Sequence, residues 1–315
     1  MFAGRQNYLT GIRNATSFFN PSNLVLLSNV QAKIGATSGN FPGGNVNSAI
    51  YTASSDRFVR GTNPFTIEYW FYQTSTTSTF PSIISNDWNT AGSFGSTNWL
   101  MQTHRNIAGQ ERRVTFWNGS SSSAAALLSS SAALSLDAWH HVAVVRTAST
   151  GAAMAASSID SSGVLTVGTL SSGTITTGLT LTGTGVPANT YIQSNISGSG
   201  SGSTWQTNTT TVVASTTITG NNYNLYINGT SEARANNGVA LDGTATARRL
   251  VIGTFGTSSV STYRGYIDEL RFSTIARYFS NFTAPTTPFQ DDPDTLLLMH
   301  FDGASGTQNW PDDNT

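Results

Sequence analysis

Apolar and polar positions alternate with a period of two along much of the chain, the pattern of β-strands with one face in a core. Two segments carry it most clearly. One is Asp137-Ala138-Trp139-His140-His141-Val142-Ala143-Val144-Val145-Arg146, and the other is Tyr223-Asn224-Leu225-Tyr226-Ile227-Asn228-Gly229. They read as the two arms of a hairpin whose connection, roughly Thr150 to Gly220, has been replaced by a small module. Such an insertion leaves the parent strand pair able to close as before.

The same alternation marks Phe65 to Tyr72, with Phe65, Ile67, Tyr69 and Phe71 on one face and Thr66, Glu68, Trp70 and Tyr72 on the other. Further strands are expected at 24–27, 48–51, 82–84, 99–103, 113–117, 249–253, 265–272 and 295–301, with Asn118-Gly119 as a hairpin turn. A helical turn is expected at Ser273 to Tyr278. Within 150–220, very short strands at 163–167, 174–175, 179–181, 190–192, 211–213 and 216–218 lie between glycine turns. The chain thus divides into an N-terminal arm (1–22), a main β unit in two pieces (23–149 and 221–290), the inserted module (150–220), and a C-terminal strand and tail (291–315). The arm shows no period, so it is expected to dock on a neighbouring subunit or along its own domain.

Composition supports an all-β chain, because Ser, Thr, Gly, Asn and Ala dominate and runs of helix formers are scarce. With 15 Lys+Arg against 16 Asp+Glu, no electrostatic footprint points to nucleic acid or an anionic membrane. There is no cysteine, which excludes disulfides and thiolate metal sites. No apolar run is long enough to span a bilayer, so no membrane insertion is expected. The first residues lack the apolar core of a signal peptide, so synthesis in a cytoplasm is expected.

Four segments, taken in order, resemble the laminin-G-like, concanavalin A-like jelly roll. They are Phe65-Thr66-Ile67-Glu68-Tyr69-Trp70-Phe71, Trp139 to Arg146, Leu225-Tyr226-Ile227-Asn228-Gly229, and Gly265-Tyr266-Ile267-Asp268-Glu269-Leu270-Arg271 running on to Ala276-Arg277-Tyr278. The tail, from Tyr278 through Phe282-Thr283-Ala284-Pro285 to Asp302-Gly303, resembles laminin-G-like domains of tailed phages, especially marine cyanophages. Residues 150–220 resemble a glycine-rich β module of phage fibre and virion surface proteins. The resemblance implies an antiparallel β-sandwich with a small inserted β domain, its concave sheet being where sugars often sit in that family. It also implies structural roles for Trp139, His141, Arg146, Asn228, Gly229, Asp268 and Arg271.

Candidate chemistry is sparse. His140 and His141 are adjacent on a strand and face opposite ways, so they cannot share a metal ion. Asp268 is expected on the inward face with Tyr266, Leu270 and Phe272, where it needs Arg146 or backbone amides as a partner, and Glu269 on the opposite face. Many members of the family bind calcium at the sandwich rim, which makes Asp87 and the run Asp291, Asp292 and Asp294 the candidate ligands, although neither has a recognisable ligand spacing. No other cofactor is implied. Glycan hydrolysis needs paired carboxylates, and Glu68, Glu111, Glu232 and Glu269 do not form the Glu-x-Asp-x-x-Glu pattern of the glucanase branch, so no catalytic residue is expected. Trp70, Tyr72, Trp88, Trp99 and Trp117 could stack on sugars, but core or interface roles suit them better. The expectation is a non-enzymatic virion structural protein, a capsid decoration or fibre component on the virion surface. It would be a homo-oligomer tied to other virion proteins through the arm. An adhesin for host-surface glycans is the alternative, and a glycan hydrolase a distant third.

Overall fold

The computed structural model describes residues 18–19, 23–74, 78–86, 99–103, 111–118, 126–241, 249–255, 259–308 and 313. They form three antiparallel sheets. The largest, of eight strands, is built around Phe65–Gln73. On one side of that strand lies Trp139–Arg146, paired in register from Trp139 opposite Tyr72 to Arg146 opposite Phe65. On the other lies Gly265–Ser273. Tyr223–Ile227 pairs outside Trp139–Arg146, from Val142 opposite Ile227 to Arg146 opposite Tyr223. Thr230–Ala235 completes that flank. Ser38–Phe41, Leu26–Ser28 and Thr295–Met299 complete the other.

The second sheet runs Phe18–Phe19, Ile50–Thr52, Val251–Ile252, Ser82–Ser85, Leu100–Thr103, Val114–Trp117, Leu128–Ser129. It packs face to face on the first. Phe65, Ile67, Tyr69 and Phe71 enter the shared core as their alternation predicts, and meet Ile50, Ile84, Met101, Phe116 and Ile252 from the opposite sheet. The third sheet uses residues 152–221 and has a separate core that includes Met154, Leu165, Leu181, Trp205 and Ile218.

Several expectations need correction. Ala152–Ile159, rich in alanine and serine, is the strand on which the third sheet hangs, pairing with three others. Its weak β propensity is overridden by burial of Ala152, Met154, Ser157 and Ile159, with a bulge at Ala156 (φ 49°) resetting the alternation. Thr230–Ala235 is a further strand beyond those expected from the pattern, with Asn228-Gly229 (φ 51° and 80°) forming the hairpin turn before it. The helical turn at 273–278 is absent. Thr66 explains why: its hydroxyl donates to Ile275 O (2.8 Å) and accepts from Arg277 N (3.0 Å), so the segment bonds to the sheet instead of itself. Gly119, half of the other expected turn, lies outside the described residues.

Candidate functional site

The outer face of the large sheet, away from the core, holds the concentration of polar chemistry. Glu68, on the central strand, is fully buried. Its Oε1 accepts from Arg271 Nε (2.9 Å) and Nη2 (2.7 Å), and its Oε2 accepts from the Tyr278 hydroxyl (2.7 Å). His141 Nε2 stands 3.4 Å from Oε2, close but without hydrogen-bond alignment. Burial pushes the Glu68 carboxyl upward, but His141, Arg271 and Tyr278 outweigh it and hold the group below its ordinary range. Tyr278 is shifted up, first by burial and then by the Glu68 charge.

This network is buried because the chain covers it. After Ser273 the backbone turns back and crosses the sheet as an extended strap, residues 276–290. Tyr278 and Phe282 stack with centroids 3.6 Å apart and, with Ala276, seal Ala143, Val145 and Tyr226. Phe282 and Phe289 both set an edge against the His141 ring, at 5.8 and 6.1 Å. Arg271 also lies 4.5 Å from the centre of the Phe289 ring. The sequence signal was there, as aromatics spaced along a proline-containing extended segment.

The strap is anchored at both ends. Near its start, the Arg277 guanidinium grips Asp292 with two bonds (2.8 and 2.9 Å), which holds that carboxyl far below its usual range. In the middle, Phe282 N donates to Gly229 O (2.9 Å), and any Cβ at Gly229 would collide with the Phe282 carbonyl. Asn228 ties the same turn to the sheet by accepting from His141 N at 2.8 Å. His140, on the other side of its strand, faces Ser135 and the Phe71 ring.

Asp268 does not share a face with Leu270 and Phe272. A bulge between Asp268 and Arg271, with Glu269 at φ 48°, shifts the alternation, so that Ile267, Leu270 and Phe272 enter the core. Asp268 and Glu269 are both left out of the core. Asp268 Oδ2 accepts from Lys33 N (2.8 Å) and Ile34 N (3.1 Å). Burial nevertheless pushes its carboxyl up to about 8, aided by the nearby Glu269 and Asp302 charges. Glu269 accepts from Phe289 N (2.7 Å) and meets His300 Nδ1 at 2.8 Å, a bond that raises His300 above its ordinary value despite partial burial. Arg146 is elsewhere, fully buried, giving its guanidinium to the carbonyls of Ala148, Gly61 and Ser149 at 2.6 to 3.1 Å, with Tyr223 below it.

One end of this face stays open. Trp139, Tyr72 and Tyr266 stand side by side on three adjacent strands, with ring centroids 5.6 and 5.9 Å apart. All three are partly exposed. The indole N–H of Trp139 and the hydroxyls of Tyr72 and Tyr266 make no hydrogen bond to another described residue. The other candidate aromatics are occupied: Trp99 lies in the core, Trp117 packs with Leu100 and Phe255, and Lys33 covers Trp70 at 4.1 Å. Trp88 and Asp87 lie outside the described residues.

Among the described residues, Asp292 and Asp294 do not fit a calcium centre. No group of three or more acids and histidines among the described residues is placed to hold a metal ion. Asp292 is neutralised by Arg277, and the Asp294 carboxylate faces the Thr274 hydroxyl. Among the described residues, Glu68 and Glu269 are buried and internally paired while Glu232 bonds Ser131 at the surface, so these three present no carboxylate pair to an open cleft.

Residues 43–178 match the model of the concanavalin A-like lectin/glucanases superfamily. The match begins in the sandwich and ends inside the third sheet. None of the curated proteins matches the chain. Among solved structures, a Bacteroides ovatus protein provisionally described as carbohydrate binding is 14% identical, with 94% of this chain and 53% of that one covered and a TM-score of 0.42. The chain therefore spans about half the length of that protein. Domain 4 of an extracellular arabinanase from Geobacillus stearothermophilus, in complex with arabinotriose, is 12% identical, with 84% of each chain covered and a TM-score of 0.44. A heptameric pentraxin from Limulus polyphemus is 11% identical over 82% of this chain and 79% of that one, with a TM-score of 0.37. The fold is an antiparallel β-sandwich of the laminin-G, concanavalin A-like jelly-roll type, and its segment 43–178 is similar to that superfamily.

Proposed function

We propose that this chain is a non-catalytic, lectin-like module on the surface of a tailed-phage particle, binding host-surface glycans at the open end of its large sheet. The observation that carries the glycan reading is the Trp139–Tyr72–Tyr266 row. Three adjacent partly exposed rings with uncommitted polar groups offer stacking faces and hydrogen bonds together, which is what a sugar ring requires. The buried, internally paired acids support the non-catalytic half, because hydrolysis needs two carboxylates facing one bond. The virion placement draws on the resemblance of the tail and of residues 150–220. In this reading the arm, 1–22, anchors a homo-oligomer to other virion proteins through the residues ahead of Phe18–Phe19, which pair with Ile50–Thr52 of the same sandwich.

A glycan array probed with the full chain, beside Tyr72→Ala and Trp139→Ala, tests the binding. Expected is binding that each variant weakens at least tenfold with an unchanged melting temperature. Binding that survives both substitutions, or no binding on the array, overturns it. Immunogold labelling of purified particles, with and without residues 1–17, which spares the Phe18–Phe19 edge strand, tests the placement separately; label on particles that lack this segment would rule out its anchoring role.

A further inference from the structure

A second feature lies where the third sheet meets the sandwich. A cleft of about 430 Å³ opens there, within the range of roughly 300–1,000 Å³ found for small-ligand sites. The sandwich contributes Pro64, Thr147, Phe279 and residues 274–276, and the third sheet contributes Thr177, Gly178 and residues 191–193. The walls are held in place. Tyr191 and Phe279 stack across the junction with centroids 5.8 Å apart, and a Cβ at Gly178 would lie 2.6 Å from the Phe279 ring. Nearby, the Thr180 hydroxyl donates to Asn224 Oδ1 (2.9 Å) and Arg234 Nη2 donates to Asn189 Oδ1 (3.1 Å), so both sides are joined before any ligand arrives.

The chemistry of the lining is selective. Among the described residues that line it, none carries a charge at neutral pH. Thr177, Gln193 and Ile275 are exposed, and the Thr177 and Gln193 side chains make no hydrogen bond to another described residue. An anionic ligand would lose hydration here without a charged side chain in the lining to meet it, since the adjacent Arg60 guanidinium is turned to the Pro64 and Thr274 carbonyls at 3.1 and 3.4 Å. We propose that this cleft is a second binding site, for a short neutral oligosaccharide. Apolar sugar faces would rest on Ile275, Pro64 and the Phe279 edge, while ring hydroxyls bond the Gln193 amide and the Thr177 hydroxyl. The site deepens the lectin-like reading and rests on its non-catalytic half, since the bound sugar must stay intact.

The test uses the full chain with neutral trisaccharides of arabinose, xylose, glucose and mannose, and with a trisaccharide of galacturonate as the anionic probe. Side-chain amide resonances and titration calorimetry report binding, and reducing-end release is followed in the same tubes. Expected is a saturable shift of the Gln193 amide with at least one neutral trisaccharide and none with the acid. That binding should persist in Trp139→Ala and fall at least tenfold in Gln193→Ala and in Thr177→Arg, two exposed substitutions that leave the junction packing alone. No Gln193 shift with any neutral probe, or a binding equally strong in both groove variants, overturns the second site while leaving the aromatic row standing. Release of reducing ends overturns the non-catalytic reading and leaves the groove's occupancy measured.

Discussion

Replacing Glu68 by Gln removes one charge from a buried ion pair of the sandwich while keeping its shape. Arg271 then loses an anionic partner held at 2.7 and 2.9 Å, with a side chain only 10% exposed. Breaking a buried pair from one side costs about 3–5 kcal/mol. The lower end applies, about 3 kcal/mol, because the amide oxygen of Gln, the Gln290 carbonyl (3.2 Å) and the Phe289 ring still receive the guanidinium. For a domain of roughly 150–250 residues, the size of the sandwich without 152–221, each kcal/mol moves Tm by roughly 2–4 °C, so a fall of about 6–12 °C in the sandwich transition is expected. Scanning calorimetry at pH 7 in low and high salt is the assay, since a desolvated pair is little screened. A cycle with Arg271→Gln isolates the coupling, and Glu232→Gln, at the surface, serves as a control that should stay within about 0.5 kcal/mol. A fall under about 2 °C, or one that high salt abolishes, would refute the claim that the strap excludes water from Glu68.

Asp268 makes stability depend on pH in the opposite sense to the paired acids. Its folded value, about 8, lies above the ordinary 3.8, so the folded state holds an extra proton between the two. Its contribution is therefore complete below about pH 4 and is lost as pH rises to 8. Asp268→Asn should match the parent near pH 4 and exceed it at pH 8 in chemical denaturation, and equal stabilities at pH 8 would refute this. Asp292, held low by Arg277, contributes above its ordinary value and loses that contribution as pH falls, so Asp292→Asn should narrow the gap to the parent on acidification. Gly229→Ala combines a left-handed backbone with a collision against Phe282 O and should cost about 1–3 kcal/mol. It should also open residues 276–290 to limited proteolysis, whereas unchanged cleavage would place the strap's anchor elsewhere.

The sandwich was legible because its central strands obey strict alternation. Phe65, Ile67, Tyr69 and Phe71 could be assigned to the core from spacing alone, and the pairing of Trp139–Arg146 with Tyr223–Ile227 could be read across the intervening residues. What escaped was set by non-local physics. Ala152–Ile159 has weak intrinsic β preference and is a strand because three neighbours pair with it. The facing of Asp268 depended on a bulge that a period-two count cannot register. The strap looked like a connector, since nothing in Tyr278, Phe282 and Phe289 by themselves says which surface they will cover. For the same reason the aromatic row went unnoticed: Trp139, Tyr72 and Tyr266 become neighbours only through strand register.

The ends of the third sheet's chain segment meet at one point of the sandwich. Arg146 and Tyr223 are opposite partners, and Thr147 N donates to Asn222 O at 2.9 Å just beyond them. Closing a flexible loop as long as residues 147–222 would cost about 2–3 kcal/mol more than closing a four-residue turn. A segment whose own sheet holds its ends together offsets that penalty, and the junction contacts of Tyr191 with Phe279 and of Thr180 with Asn224 add to that offset. Any autonomous unit whose termini lie a strand spacing apart could be spliced in at Thr147 and Asn222, or the unit could be deleted for a two-residue turn, with the core registry unchanged. By this geometry the sandwich behaves as a holder: the strand ends at Arg146 and Tyr223 stay paired whatever length of chain runs between them.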